Sequence, residues 1–464
     1  MPDNACYDTE QKNLMTDPIS AEWLAARLKD RSMRGIAIET GALIRSGAIA
    51  VGAKLPSVRD LAFALGVSPA TVSTAWSDLR KFKVISGRGR TGIHVCGDKL
   101  SPRPLRYGGD ADYGAEALDL RLAAPDPALL PPLEEALRRG ARAAGLNSYQ
   151  RVPILDSLAT AAGADWPYRP EAFLAANGGY EAVYVTVQTL IRPGTAVAVE
   201  DPTAMRLLDI LDNVSAQLIP VACDDEGPLP ASLAAALAKA PAAFLYQPRT
   251  HSVTGRIVSP QRMAELAKTL RGSEALILED DGVGDVSAAP PASLGRVFPD
   301  RTVHIRSYSK SLGPDLRVAV LSGPAEIVAQ IQAYRSFGAG WTSRLLQEAT
   351  AWLIGDPGTT AMVDRARQAY GERRRALIAA LGVRGVAVPD RDGLCLWMPV
   401  RSEQFALVTL AARGIAVGRG ANYSPRPSDH IRVATSLLTG PVGAVADALA
   451  LADPVRLRGL PPSH

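Results

Sequence analysis

The sequence predicts two folding units: a small, mainly α N-terminal unit of winged helix-turn-helix type and a larger C-terminal α/β unit built on a mainly parallel sheet. Three observations carry this expectation. A chain of 464 residues exceeds the size at which a single core usually stops growing. Within the first hundred residues, two helical stretches with serine and proline at their starts flank a glycine turn and are followed by a basic, glycine-rich hairpin. Beyond them, apolar strand-like runs alternate with helical ones.

Hydrophobic residues at 47% and charged residues at 21% are the proportions of an ordinary folded protein rather than a disordered one. The alanine-rich stretch 231–243 is broken by Lys239 and Pro241, and no apolar run reaches the length of a membrane span. The start, with Asp3, Asp8 and Glu10, lacks the apolar core of a signal peptide, so a cytoplasmic, nucleoid-associated location is expected. Cys6, Cys96, Cys223 and Cys395 lie far apart and the histidines do not group with them, so reduced thiols and no metal are expected. The net charge of +4 hides an asymmetry: Ser20 to Arg106 carries 15 Lys or Arg against 6 Asp or Glu. That concentration suits a polyanion such as double-stranded DNA.

In the N-terminal unit, Trp23, Leu24 and Leu28 have helical spacing over 21–30, and Ile36, Leu43 and Ile44 recur in a second helix from Met33 to Ser46, stopped by Gly47. Ser57 can cap a third helix that ends at Gly66, with Asp60 placed as a capping-box acid. Ser68 then caps a fourth helix with Pro69 at its first position, and Val72, Trp76 and Leu79 turn inward. A recognition helix in this position brings Ser68, Ala70, Thr71 and Thr74 nearest the major groove. Residues 84–95 read as two short strands with a basic tip, a wing whose Arg88 and Arg90 neutralise phosphates.

The segment from Ile36 to Val95 resembles the winged helix of the GntR family, through its LPSxRxLA, LGVSxxTV and glycine-rich wing elements. With that resemblance Lys54, Ser57, Arg59 and Thr91 join the expected DNA-facing set. The expected organisation is a tail over 1–19, the winged helix over 20–97, a linker rich in proline, glycine and charge over 98–116, and the second domain over 117–464.

In that second domain, strands are expected at Ala196–Val199, Gln217–Val221, Ala242–Tyr246, Ala275–Leu278 and Thr302–Ile305. Sites in such sheets collect at the C-terminal strand ends. There stand Gln247-Pro248-Arg249, Glu279-Asp280-Asp281, and the run from Ser307 and Ser309 through Lys310 to Arg317. A lysine amine forms a Schiff base with an aldehyde cofactor, and an arginine with neighbouring hydroxyls holds that cofactor's phosphate. Pyridoxal phosphate needs both, together with a carboxylate on its ring nitrogen, for which Asp280 is the candidate. Asn177-Gly178-Gly179-Tyr180 opens a helix after a strand and offers N–H groups to the phosphate. Arg432, on a strand, can clamp a carboxylate in bidentate fashion.

Residues from about Leu118 to Ala450 resemble fold type I aminotransferases, pyridoxal phosphate-dependent transferases, and the fusion behind a GntR winged helix resembles the MocR subfamily of regulators. The resemblance implies Lys310 as the Schiff-base lysine, Asp280 as the ring partner, Arg317 as a phosphate ligand and Arg432 as the effector carboxylate clamp. It also implies a head-to-tail homodimer, with Tyr149 reaching the neighbouring subunit's phosphate.

The chain departs from the family pattern at three ring contacts: Ala204 replaces a stacking aromatic, Ser252 an asparagine, and Gly282 a tyrosine or histidine. His251, in the same loop as Ser252, is a candidate to fill that gap, although a loop histidine is more often solvated than catalytic. A regulator that binds pyridoxal phosphate and senses a small amino compound is the leading expectation. A working aminotransferase with a DNA-binding module, and a regulator whose second domain has lost the cofactor, are the alternatives.

Overall fold

The computed structural model describes residues 18–45, 48–81, 84–87, 92–96, 104, 106 and 117–452. They belong to two compact units. No helix among the described residues is long and apolar enough to cross a membrane.

The smaller unit contains helices Ala21–Ala25, Met33–Arg45, Val58–Leu65 and Pro69–Lys81, and a three-stranded antiparallel sheet in which Ile93–Val95 lies between Lys54–Leu55 and Ile85–Ser86. The first helix stops well before residue 30. The N–H groups of Lys29 and Asp30 donate to the Glu39 carboxylate, so the chain leaves the helix while Leu28 still enters the core. Ser57 caps as expected, accepting from the Asp60 N–H at 3.2 Å, and Gly66 ends that helix in the left-handed region at φ 68°. Ser68 accepts from the Thr71 N–H at 3.1 Å. Trp76 is fully buried among Leu24, Ile36, Leu61, Leu65 and Val72, which gives this unit a core of its own. The expected wing contacts Arg88, Arg90 and Thr91 lie outside the described residues, as do nearly all of the expected tail and linker.

The larger unit is organised around an eight-stranded sheet. Its order runs Ala172–Ala176, Ala319–Gly323, Thr302–Ser307, Leu276–Asp281, Ala243–Tyr246, Ala196–Asp201, Gln217–Asp224, Gly227–Pro228. Only Ala319–Gly323 and the edge strand Gly227–Pro228 run against the rest. Helices such as Gly179–Leu190 and Pro260–Leu270 cover the faces. A second sheet of four strands, ordered Cys395–Pro399, His430–Ala434, Ile415–Arg419, Leu118–Leu120, packs on helices Pro357–Val383 and Val442–Leu451 around Leu377, Ile431 and Leu449.

Several strands continue past the expected ends. Leu276–Asp281 includes Glu279, Asp280 and Asp281, all buried, because each carboxylate finds a partner inside the protein. Glu279 accepts from Tyr246 and Ser293 hydroxyls and the Leu294 N–H, and it meets the His304 ring. Asp281 pairs with Arg249 at 3.1 Å. Alternation along the strand sends Asp280 to the opposite face.

Candidate cofactor and effector site

Strand Ala172–Ala176 ends in Asn177 and Gly178, and the helix Gly179–Leu190 starts at once, so its free N–H groups and the positive end of its dipole point into one corner. Gly178 has φ +100°, a conformation that favours glycine. A Cβ there would stand 2.6 Å from Arg317 Nη2, and one on Gly179 would stand 2.9 Å from the Ser307 Cβ. Both glycines therefore let an arginine and a serine pack closely against the helix N-terminus in that corner. Arg317 also donates to the Asn177 carbonyl at 3.0 Å, and the Ser309 N–H leans toward Ser307 Oγ at 3.4 Å.

Asp280 sits on the same sheet face as Ser307, two strands being in parallel register there. Burial raises its carboxyl to about 6, and the Gln247 amide, donating to Oδ2 at 2.9 Å, pulls the other way. The other end of that amide accepts from the Ser252 N–H at 2.8 Å and hydroxyl at 3.1 Å. Gln247 itself is held by the Glu200 carboxylate, which accepts its N–H at 2.8 Å. The sequence places Gln247 at a strand end but assigns it no partner; the strand pairing that sets Tyr246 against Glu279 brings it beside Asp280.

The Lys310 amine is brought down to about 8, by burial first and then by the Arg432 charge. It donates to the Ala123 carbonyl, and Arg432 Nη1 donates to the Arg121 carbonyl at 3.0 Å, so the two cations share one stretch of backbone. Arg432 Nη2 donates to the Ser252 carbonyl at 3.0 Å and Nη1 reaches the Tyr423 hydroxyl at 3.3 Å, while its buried Nε has no protein acceptor. Tyr180 lies between these groups, its hydroxyl pushed up by burial and by Asp280, and the Arg206 guanidinium rests 4.4 Å from its ring centre.

Lys310, Asp280, Ser307, Ser309, Gly178, Gly179, Tyr180, Arg317, Ser252 and Arg432 thus converge. Tyr149 does not join them within one chain: it is 89% exposed and packs edge-on against Trp341. His251 departs from its expected solvation. It is buried, with Nδ1 facing the Val253 and Thr254 N–H groups and Nε2 the Pro202 carbonyl at 2.9 Å, so it organises the loop. Ala204 is buried, and a Cβ on Gly282 would approach both Asp280 carboxylate oxygens to 3.2 Å.

On the smaller unit, Lys54, Ser57, Arg59, Ser68, Ala70 and Thr74 are exposed and Thr71 is half-buried. Ser57, Ser68 and Thr74 spend their hydroxyls on helix structure, Thr74 donating to the Ala70 carbonyl at 2.9 Å. Lys54 and Arg59 are the described cations of this set.

The family model for aminotransferase class I and II matches residues 120–446, and that for bacterial regulatory proteins of the gntR family matches residues 36–95. The vitamin B6 salvage pathway transcriptional repressor PtsJ of Salmonella typhimurium is 30% identical over 403 residues, which cover 85% of this chain and 92% of PtsJ. The HTH-type pyridoxine biosynthesis transcriptional regulator PdxR of Corynebacterium glutamicum is 24% identical, covering 82% and 86%. The kynurenine aminotransferase of Pyrococcus horikoshii, solved with PMP, superposes with a TM-score of 0.65 at 18% identity, over 72% of this chain and 91% of that one. LysN of Thermus thermophilus, complexed with a phosphopyridoxyl-leucine, gives 0.64 at 21%, over 73% and 92%.

The chain belongs to the MocR subfamily of GntR-type transcription regulators. It is a DNA-binding transcription regulator in which a winged helix precedes an aminotransferase-like domain of fold type I.

Proposed function

We propose that the large domain binds pyridoxal phosphate and senses a small amino compound whose carboxylate meets Arg432, and that occupancy changes how a homodimer engages its DNA. The convergence of the glycine-lined corner, Asp280 and Lys310 carries this reading. The donor set of that corner suits a phosphate: a helix N-terminus, Ser307, Ser309 and the Arg317 guanidinium gather there. Asp280 would face the ring nitrogen and Lys310 the aldehyde carbon. When bound, the cofactor supplies a carbon that captures amines and a ring that draws electrons.

The chain's own groups set the conditions. With its proton held only to about 8, a sizeable fraction of Lys310 is neutral and nucleophilic at physiological pH. Arg432 presents a guanidinium satisfied only by neutral oxygens, so a carboxylate offers it stronger, charge-assisted bonds. Ala204, Ser252 and Gly282 leave the ring with fewer contacts, which favours sensing, or at most a half-reaction, over efficient turnover. The names of PtsJ and PdxR, both referring to vitamin B6, support a pyridoxal-type ligand.

A head-to-tail homodimer belongs to the same reading. The exposed Tyr149 and Phe337 then find a partner, and Tyr149 approaches the neighbouring phosphate corner. We place the domain boundaries at 20–97 and 117–464 with a tail over 1–19 and a linker over 98–116, and the protein in the cytoplasm on the nucleoid.

The test is the visible spectrum of the purified protein with added pyridoxal phosphate, beside Lys310→Ala. A band present only in the wild type supports the reading. Its absence from both removes the cofactor and leaves the domain as a scaffold or a pocket for another ligand. Stoichiometric conversion of an amino donor and a keto acceptor would instead make the protein a working aminotransferase.

A further inference from the structure

Arg106 stands in the stretch between the two family matches, yet it is fastened to the large domain by one of its most enclosed ion pairs. Its Nη1 donates to Asp209 Oδ1 at 3.0 Å, its backbone N–H leans on the same carboxylate at 3.2 and 3.3 Å, and both side chains are 7% exposed. Its carbonyl accepts from Asn422 Nδ2 at 3.3 Å. Both anchors lead to the effector clamp. Asn422 precedes Tyr423, whose hydroxyl meets Arg432 at 3.3 Å. Asp209 lies on the helix Met205–Asn213, and Thr203, just before that helix, donates its N–H to the Tyr423 carbonyl at 2.8 Å. Tyr423 is buried and Thr203 has no exposed surface, so a displacement of one is felt by the other.

We propose that Arg106 is the fastening through which the state of the Arg432 pocket reaches the segment leading to the winged helix. A ligand that draws Arg432 away from the Tyr423 hydroxyl alters the loop Gly420–Tyr423, and with it the Asn422 contact and the seat of Asp209. Coupling then runs through a contiguous chain of packed, hydrogen-bonded groups, and it requires that the ligand favour a second arrangement of them. The inference rests on the proposed sensing role of Arg432. The fastening itself does not.

Amide hydrogen exchange at position 106 in the full-length protein separates the two. Without ligand, Asp209→Asn and Arg106→Lys should each speed exchange there by about tenfold or more, the scale of losing roughly one charged hydrogen bond from a local opening. Unchanged exchange in both overturns the fastening. Pyridoxal phosphate is the probe for the second arm, because engaging Lys310 removes the charge that neighbours Arg432 and so changes the state of that pocket. In the wild type it should change exchange at position 106. In Asn422→Ala that response should shrink while the Lys310-dependent absorbance band stays. A full response in Asn422→Ala, or none in a wild type that forms the band, overturns the transmission. A wild type that forms no band overturns the cofactor reading and the transmission with it, and leaves the first arm to decide the fastening. Thermal melting of each variant identifies any that has lost its fold.

Discussion

The Gln247 side-chain amide bridges Asp280 and Ser252, donating to one at 2.9 Å and accepting from the other at 2.8 and 3.1 Å. A carboxylate buried to this degree is costly to ionise, and one amide donor lowers that cost only in part. Asp280 therefore holds its proton up to about 6, whereas a solvated aspartate releases it near 3.8.

The first prediction is a pH dependence of stability. A folded-state pKa raised above the unfolded value means that the protonated carboxyl stabilises the fold below about 3.8, and that this contribution is lost as pH rises to about 6. Without cofactor, Asp280→Asn should melt higher than wild type at pH 7 by an amount equivalent to at most about 3 kcal/mol. The difference should shrink toward pH 4. Melting curves across that range decide it, and a variant less stable at pH 7 would show that the charge is better compensated than its partners suggest.

Removing the bridge should push Asp280 further up. Gln247→Leu is expected to weaken pyridoxal phosphate binding by about tenfold or more, since Asp280 loses its donor and Ser252 its acceptor. Titration followed by absorbance reads this directly, and unchanged affinity would relegate Gln247 to packing.

Lys310 provides a kinetic signature. The rate at which its visible band appears with pyridoxal phosphate should rise with pH through about 8, following the neutral amine. In Arg432→Gln, where a neighbouring cation is removed, the midpoint should move upward. A midpoint unmoved by that change would mean that burial alone sets the amine.

The proposed phosphate corner depends on two missing side chains. Gly178→Ala meets both a φ of +100° and the Arg317 guanidinium, and Gly179→Ala meets Ser307. Each should cut pyridoxal phosphate affinity by about tenfold or more, with Gly178→Ala the more severe because strain adds to crowding. Equal affinity in Gly178→Ala would remove the corner as the phosphate site.

For the winged helix, Arg59→Ala should weaken DNA binding with little dependence on sequence and lower the salt slope by about one. Binding measured at several salt concentrations tests this. An unchanged slope would take Arg59 off the phosphate backbone.

The winged helix was largely legible because its signals are local: Ser57, Gly66 and Ser68 act through residues three or four positions away. The first helix was overestimated because Glu39, ten positions from Lys29, takes the N–H groups that would have prolonged it. In the large domain, apolar runs located the strands but not their ends. The polar tail of Leu276–Asp281 stays in the sheet because of Tyr246, Arg249 and Gln247, partners visible only once strands are paired. His251 looked like a solvated loop residue for the same reason. Alternating runs also gave no sign that Ala319–Gly323 inserts antiparallel, or that three C-terminal strands join Leu118–Leu120 in a second sheet.

The strand carrying Arg432 is the last among the described residues, and it brings the clamp to groups from near residues 123, 178, 252, 280 and 310. The core of the winged helix is made by residues up to Val95. During synthesis the DNA-binding unit therefore leaves the ribosome long before the pocket can close. Each nascent chain passes through a period in which the winged-helix core has all its residues and Arg432 has not yet been added. A message truncated at any point in the large domain before that strand would encode the winged-helix core without the clamp that is proposed to control it.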